Sequence, residues 1–244
     1  MRFAVLVVLP ACSFSAHSRP AHDADADSVS DARDAAVDAT ADAAIDGGRV
    51  AFCDPTDPTL IACYAFEGTT ADGSPHHLDA NGTNVTFVAG KVGMAAVASA
   101  STQMTVAQSP LIDPPTLTIE AWIKAPTPGL GARAGIIDNE GAWGFFLHEQ
   151  GELQCITATN VAANVPADTW TYVACTADGT NRKIYVNGVL VETEAAGLLG
   201  GGTQGMALGA NSPSGQQLGG DIDQLRLFNT ARTAAQIAAD MAQR

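Results

Sequence analysis

The chain has 244 residues and a formal net charge of −14, and although 46% of it is hydrophobic, 45 positions are alanine and only 14 are aromatic. No triplet glycine period, sustained heptad or run of about 20 apolar residues occurs, which excludes a collagen, a coiled coil and a multi-pass helical membrane protein. With 12 basic residues against 26 acidic ones and no basic cluster, a nucleic-acid partner is excluded as well, because phosphate backbones call for concentrated positive charge.

In chain order, Arg2 and the apolar stretch Phe3 to Leu9 read as a secretory signal, too short to span a bilayer. The following Leu9-Pro10-Ala11-Cys12 resembles the lipobox of bacterial lipoproteins. That resemblance implies that residues 1–12 end in a lipidated Cys12, that the membrane is reached through a lipid anchor, and that Ser13 directs the protein to an outer membrane. An ordinary signal peptide cut after Ala16, leaving a secreted or periplasmic protein, is the alternative. Several acyl chains anchor stably where one holds only marginally.

Residues 13–50 are dominated by alanine and aspartate, including Asp34, Asp38, Asp42 and Asp46 at a spacing of four. Such a stretch cannot bury enough surface to offset the entropy of ordering, and like charges at that spacing oppose a helix. A disordered tether is expected there, with a folded domain over residues 51–244.

Apart from Cys12, the cysteines are Cys53, Cys63, Cys155 and Cys175, an even set that in an exported chain implies bridges. Three pairings are open. The local one, Cys53 with Cys63 and Cys155 with Cys175, has a mechanism: if Leu153 to Ala158 and Trp170 to Thr176 form a hairpin, the second pair faces across it.

Past Cys53 the pattern alternates with period two, and glycine, proline and asparagine turns break it about every ten residues. Expected strands are 60–66, 85–88, 95–99, 104–107, 117–124, 135–138, 143–148 and 153–157, then 170–176, 183–186, 189–192, 206–209 and 221–228. In the strand 117–124, Leu117, Ile119, Ala121 and Ile123 share one face, while Thr118, Glu120, Trp122 and Lys124 share the other. Asn187-Gly188 is the strongest hairpin signal, since both turn positions need positive φ. One helix is expected, capped by Thr233 with Gln236 closing a capping box and Ile237 and Met241 on its apolar stripe. The fold class is all-β: a two-sheet antiparallel sandwich with a short C-terminal helix.

The strands carry Tyr64-Ala65-Phe66-Glu67-Gly68, Phe87-Val88-Ala89-Gly90-Lys91-Val92-Gly93, Trp170-Thr171-Tyr172-Val173, Ile184-Tyr185-Val186-Asn187-Gly188 and Ile222-Asp223-Gln224-Leu225. In that order they resemble the laminin G-like, concanavalin A-like jelly rolls. The resemblance implies one convex and one concave sheet, the latter forming a groove. Function does not follow from it, because the fold hosts lectins, hydrolases and spacers alike.

Hydrolases of that kind set catalytic carboxylates close together on one strand. Here the nearest pairs, Asp138 with Glu140 and Glu149 with Glu152, read as solvated turn residues, so no catalytic residue is assigned. His76 and His77 read as a surface pair. The resemblance implies one structural calcium held by Asp223 with Glu67 and Asp72 near the opening turn; the alternative is that Asp223 pairs with Arg226 or caps a turn. Glu120, Trp122, Asn139, Trp143, His148 and Asn160 are the candidate ligand-binding residues, mixing polar groups with aromatic faces as sugar sites do. The expected function is a non-enzymatic, surface-anchored module that binds carbohydrate or a cell-surface protein. The alternatives are a glycoside hydrolase or lyase of the same superfamily, and a structural envelope protein without a small ligand.

Overall fold

A computed structural model describes residues 51–128, 132–156, 163–197, 199–212 and 215–243. The signal segment, Cys12, the tether and Asn160 lie outside the described residues.

The strands are β1 (Leu60–Tyr64), β2 (Asn81–Thr83), β3 (Thr86–Ala89), β4 (Met94–Ala98), β5 (Gln103–Val106), β6 (Leu117–Lys124) and β7 (Arg133–Asn139). They continue with β8 (Trp143–His148), β9 (Leu153–Cys155), β10 (Thr171–Ala177), β11 (Asn181–Val186), β12 (Val189–Ala195), β13 (Met206–Leu208) and β14 (Gly220–Phe228), before helix α1 (Ala234–Met241). An eight-stranded antiparallel sheet runs β12-β11-β10-β6-β14-β4-β3, with β1 also paired to β14. A six-stranded antiparallel sheet runs β2-β5-β13-β7-β8-β9. The expected sandwich is present.

Alternation explains the main core. Leu117, Ile119, Ala121 and Ile123 of β6 face Ile136, Trp143, Phe145 and Leu147 of the other sheet in one buried cluster. The outer face of β6 departs from the usual polar-out pattern. Trp122 packs with Tyr172, Ala174, Tyr185 and the helix residue Ile237 in a second cluster, so α1 covers the outside of the larger sheet. Burying Ile237 there contributes about 2 kcal/mol. The helix begins as expected, with the Thr233 side chain accepting from the Gln236 amide and Gln236 reaching back to the cap. Asn187 and Gly188 both have positive φ and join β11 to β12.

The short β2, which carries no apolar alternation, is not among the expected strands; it pairs with β5. One expectation is corrected. Cys155 and Cys175 are bridged, as are Cys53 and Cys63, but not across a hairpin. β9 pairs with β8 in one sheet and β10 with β6 and β11 in the other, so the Cys155–Cys175 bond ties the two sheets together through the core.

Candidate functional site

Strands β7 and β8 are paired so that Arg133 faces His148, Gly135 faces Phe146, Asp138 faces Gly144 and Asn139 faces Trp143. Side chains alternate across a strand, so Trp143, Phe145 and Leu147 enter the core while Gly144, Phe146 and His148 lie on the outside of the six-stranded sheet. On that outer face a cleft of about 220 Å³ is lined by Arg133, Asp138, Glu140, Gly144, Phe146 and Asn211 among others.

Arg133 is held flat. Its guanidinium carbon lies 4.1 Å from the centre of the Phe146 ring. Its Nε donates to Gln216 Oε1 at 3.0 Å and its Nη1 to Gln154 Oε1 at 3.4 Å. Such stacking stabilises by about 0.5–1 kcal/mol and fixes the plane in which the remaining N–H groups point.

Asp138 is not a solvated turn residue. The strand runs through it, its residue exposure is only 6%, and its Oδ2 accepts from the Ser212 amide at 2.9 Å. Burial pushes its pKa up to about 6, the Ser212 bond opposes this, and the neighbouring Glu140 charge adds to it. Gly144 leaves the other oxygen open: a Cβ there would sit 2.4 Å from Asp138 Oδ1 and 2.4 Å from Phe146 Cε2. Glu149 and Glu152 lie at a tight turn between β8 and β9.

Of the six residues expected to bind ligand, the five that are described do not form one site. Trp143 is 2% exposed and its Nε1 donates to the Ile112 carbonyl at 2.9 Å. Asn139 is fully buried, its Nδ2 donating to the Ile112 carbonyl and to Asp113 Oδ1. Both touch the cleft from beneath, as packing and scaffold. Glu120 and Trp122 lie on the opposite side of the molecule, because the face that alternation assigned to solvent is roofed by α1. His148 is half-buried on the cleft's sheet, 3.2 Å from Gln154. Arg133, Gly144, Phe146 and Asn211 were missed. The signal available for two of them was the alternation within Trp143 to His148, which sends Gly144 and Phe146 outward once Trp143 is placed inside.

The expected calcium ligands separate in the same way. Asp72 is saturated: its two oxygens accept from the amides of Cys63, Ser74 and Leu78 and from the Ser74 hydroxyl, all at 2.7–2.8 Å. That carboxylate organises the loop after β1 and has no capacity left for a metal. Asp223 and Glu67 instead converge on the β3–β4 turn. Asp223 Oδ2 accepts from the Val92 amide at 2.9 Å, and Glu67 Oε2 from the Met94 amide at 3.0 Å. Asp223 Oδ1 is buried without a hydrogen-bond partner, and burial pushes the group up to about 6, with the Glu67 charge adding to the effect. Arg226 pairs with Glu120 and Asp240 rather than with Asp223. Among the described residues no group of three or more His, Cys, Asp or Glu side chains is placed to hold a metal. His76 and His77 are exposed. A larger cleft of about 530 Å³ lies between the β3–β4 turn and the end of α1, where Lys91 Nζ sits 4.4 Å from the Trp122 ring centre.

The chain belongs to the Laminin_G_3 family of the concanavalin A-like lectin/glucanases superfamily, whose pattern matches residues 98–238, more than half its length. It is similar in structure to domain 4 of AbnA, an extracellular arabinanase from Geobacillus stearothermophilus solved in complex with arabinotriose. The TM-score is 0.62 at 22% identity, covering 76% of this chain and 98% of that one. It is similar also to the binding domain of Paraclostridial Mosquitocidal Protein 1, with TM-score 0.60, 15% identity and coverage of 75% and 52%. A sialidase from Trypanosoma rangeli gives TM-score 0.58 at 13% identity, with coverage of 75% and 32%. The chain thus spans about half the length of the toxin domain and a third of the sialidase. Identities this low establish the fold. No curated protein matches by sequence. The two disulfides suit an exported protein, and among the described residues no helix is long and apolar enough to cross a membrane.

Proposed function

We propose that the domain is a non-enzymatic binding module that recognises carbohydrate or a cell-envelope partner, held at the cell surface by a lipid on Cys12. The observation that carries the reading is the cleft on the outer face of the six-stranded sheet. There a guanidinium fixed on an aromatic ring and a half-open carboxylate lie together on a rigid sheet, as small-ligand sites require. The complex of the arabinanase domain with arabinotriose and the toxin binding domain support it. A glycan array together with a pull-down from envelope fractions tests the reading. Binding in either supports it, and blanks in both favour a structural envelope protein instead. Loss of membrane retention in Cys12→Ser tests the anchor.

A second reading, a glycoside hydrolase or lyase, is favoured by one observation: Asp138 has its pKa raised to about 6 beside Glu140 in the same cleft, and hydrolysis of a glycosidic bond uses one protonated and one ionised carboxyl group. Polysaccharide turnover that disappears in Asp138→Asn would establish it.

For calcium, Asp223 and Glu67 fit and Asp72 does not. An unpartnered buried carboxylate oxygen is what a hard cation satisfies, with turn carbonyls completing an oxygen shell. The ion would neutralise two carboxylates that repel one another at the β3–β4 turn.

A further inference from the structure

We infer that the cleft reads a neutral sugar unit through two adjacent hydroxyl groups, one donating to Asp138 and its neighbour accepting from Arg133, and that Gly144 sets this specificity by leaving Asp138 uncovered. The inference rests on the carbohydrate reading above and names what that site would take.

The two polar groups are complementary and independently fixed. Asp138 spends Oδ2 on the Ser212 amide, which leaves Oδ1 as its free acceptor. That oxygen points at the place where residue 144 would carry a side chain, and a Cβ would sit 2.4 Å from it, well inside contact distance. Glycine is therefore the one residue that keeps the carboxylate open to the cleft. Arg133 uses Nε and one N–H of Nη1 on two glutamine carbonyl oxygens, and the Phe146 ring fixes its plane. A guanidinium has five N–H donors, so three are left without an acceptor among the described residues. None of the ion pairs among the described residues involves Arg133, although its charge is felt by Asp138. An acceptor and a donor displayed together on one face are what a pair of ring hydroxyls can satisfy, each hydroxyl being able to donate or accept.

Charge decides between neutral and acidic sugars. The cleft carries two carboxylates, Asp138 and Glu140, against the single guanidinium of Arg133. A uronate or sialate unit would bring a third negative charge into a confined, partly dehydrated space. Like charges at such distances suppress a wrong ligand more than the attractive contacts favour it. A site that hydrogen-bonds hydroxyls with buried polar groups also rejects analogues that lack them, because its own groups are then left unpaired.

The test uses the exported chain on an array of neutral pentose and hexose oligosaccharides and of matched galacturonate and glucuronate oligomers, with affinities for the best neutral probe taken by calorimetry. The expected result is binding to neutral probes at least tenfold tighter than to their acidic counterparts. Gly144→Ala should weaken neutral binding at least tenfold in a chain that still folds, since the added methyl displaces Asp138 Oδ1 and the Phe146 ring. If that variant melts early, Asp138→Asn replaces it, since the amide keeps the shape and Ser212 contact; it should weaken neutral binding several-fold and narrow the margin over acidic probes. Uronates bound as tightly as neutral sugars, or neutral binding undiminished in a folded Gly144→Ala or in Asp138→Asn, would overturn the inference while leaving the carbohydrate reading intact. A blank array would overturn both.

Discussion

The guanidinium of Arg226 lies 2.7 Å from Oε1 of Glu120, and the two side chains are 3% and 0% exposed on the outer face of the eight-stranded sheet. Arg226 also donates to the Phe52 carbonyl at 3.1 Å, to the Asp240 carbonyl at 3.2 Å and to the Gln243 side chain. One residue thus joins the N-terminal segment, β6 and the C-terminal helix. Removing Glu120 leaves Arg226 with only the longer contact to Asp240 as its carboxylate partner, and breaking a buried pair costs about 3 kcal/mol. Glu120→Leu should therefore lower unfolding stability by about that amount in urea titrations, while adding Arg226→Met should recover only part of it, because the Phe52 and Asp240 carbonyls then lose their donor.

Stability should fall as pH rises through the weakly acidic range. Burial raises Glu120 to about 7, against the pull of Arg226, and raises Asp138 and Asp223 to about 6. A carboxyl group with a folded pKa above its unfolded value holds its proton more tightly when folded. Its contribution is complete below the unfolded pKa, near 4, and is lost as pH rises to about 7. Asp57 and Asp178 are shifted downward by hydrogen bonds from neighbouring groups and act in the opposite sense at lower pH. Melting temperature measured without divalent ions should be higher at pH 5 than at pH 8, and Asp138→Asn should flatten the slope.

Trp143→Ala should act on stability. The ring sits in the main core and its indole N–H supplies the Ile112 carbonyl, so truncation creates a cavity and removes a buried hydrogen bond, together about 3–5 kcal/mol. Trp143→Phe preserves most of the packing and should cost about 1–2 kcal/mol by the same route. Chemical denaturation of the two variants separates these contributions.

Because Cys155 and Cys175 tie the sheets together across a 20-residue separation, replacing both by alanine should cost about 3 kcal/mol on the chain-entropy account. The loss should appear as a lower denaturation midpoint in the variant, and reduction of the wild type, which opens Cys53–Cys63 as well, should lower the midpoint at least as far.

Calcium added after chelation should raise the melting temperature of the wild type by several degrees and leave Asp223→Asn unmoved. Asp72→Asn should melt early with and without the ion and keep the calcium-dependent increment, since Asp72 serves the loop alone. An increment that survives in Asp223→Asn would remove the site from the β3–β4 turn.

The sandwich was legible in the sequence because alternation, Asn187-Gly188 and the capping box at Thr233 are local signals. What failed was the assumption that the second face of each strand meets water. Glu120 and Trp122 alternate correctly with Leu117, Ile119, Ala121 and Ile123, but the roof over them is a helix more than a hundred residues downstream. Trp143 is among the candidate ligand-binding residues by type, whereas its place in β8 turns it inward. Asp138 looked like a turn residue in Asp-Asn-Glu-Gly, and only its distant neighbours Ser212 and Gly144 give it its burial and its open oxygen. The pairing of Cys155 with Cys175 was found for the wrong geometric reason: proximity came from stacking of two sheets rather than from a hairpin.

The Cys53–Cys63 bond also governs how the domain answers a pull on its N-terminal end. Cys63 is the fourth residue of β1, which pairs antiparallel with β14. With the bond closed, tension applied before Cys53 bypasses residues 54 to 62 and enters the sheet at Cys63, which is paired with Arg226. Peeling β1 away from its Leu60 end is then impossible, and the strand must yield from its interior. Reduction restores the weaker, residue-by-residue route, so the mechanical strength of the domain would depend on the redox state of one bond at its margin.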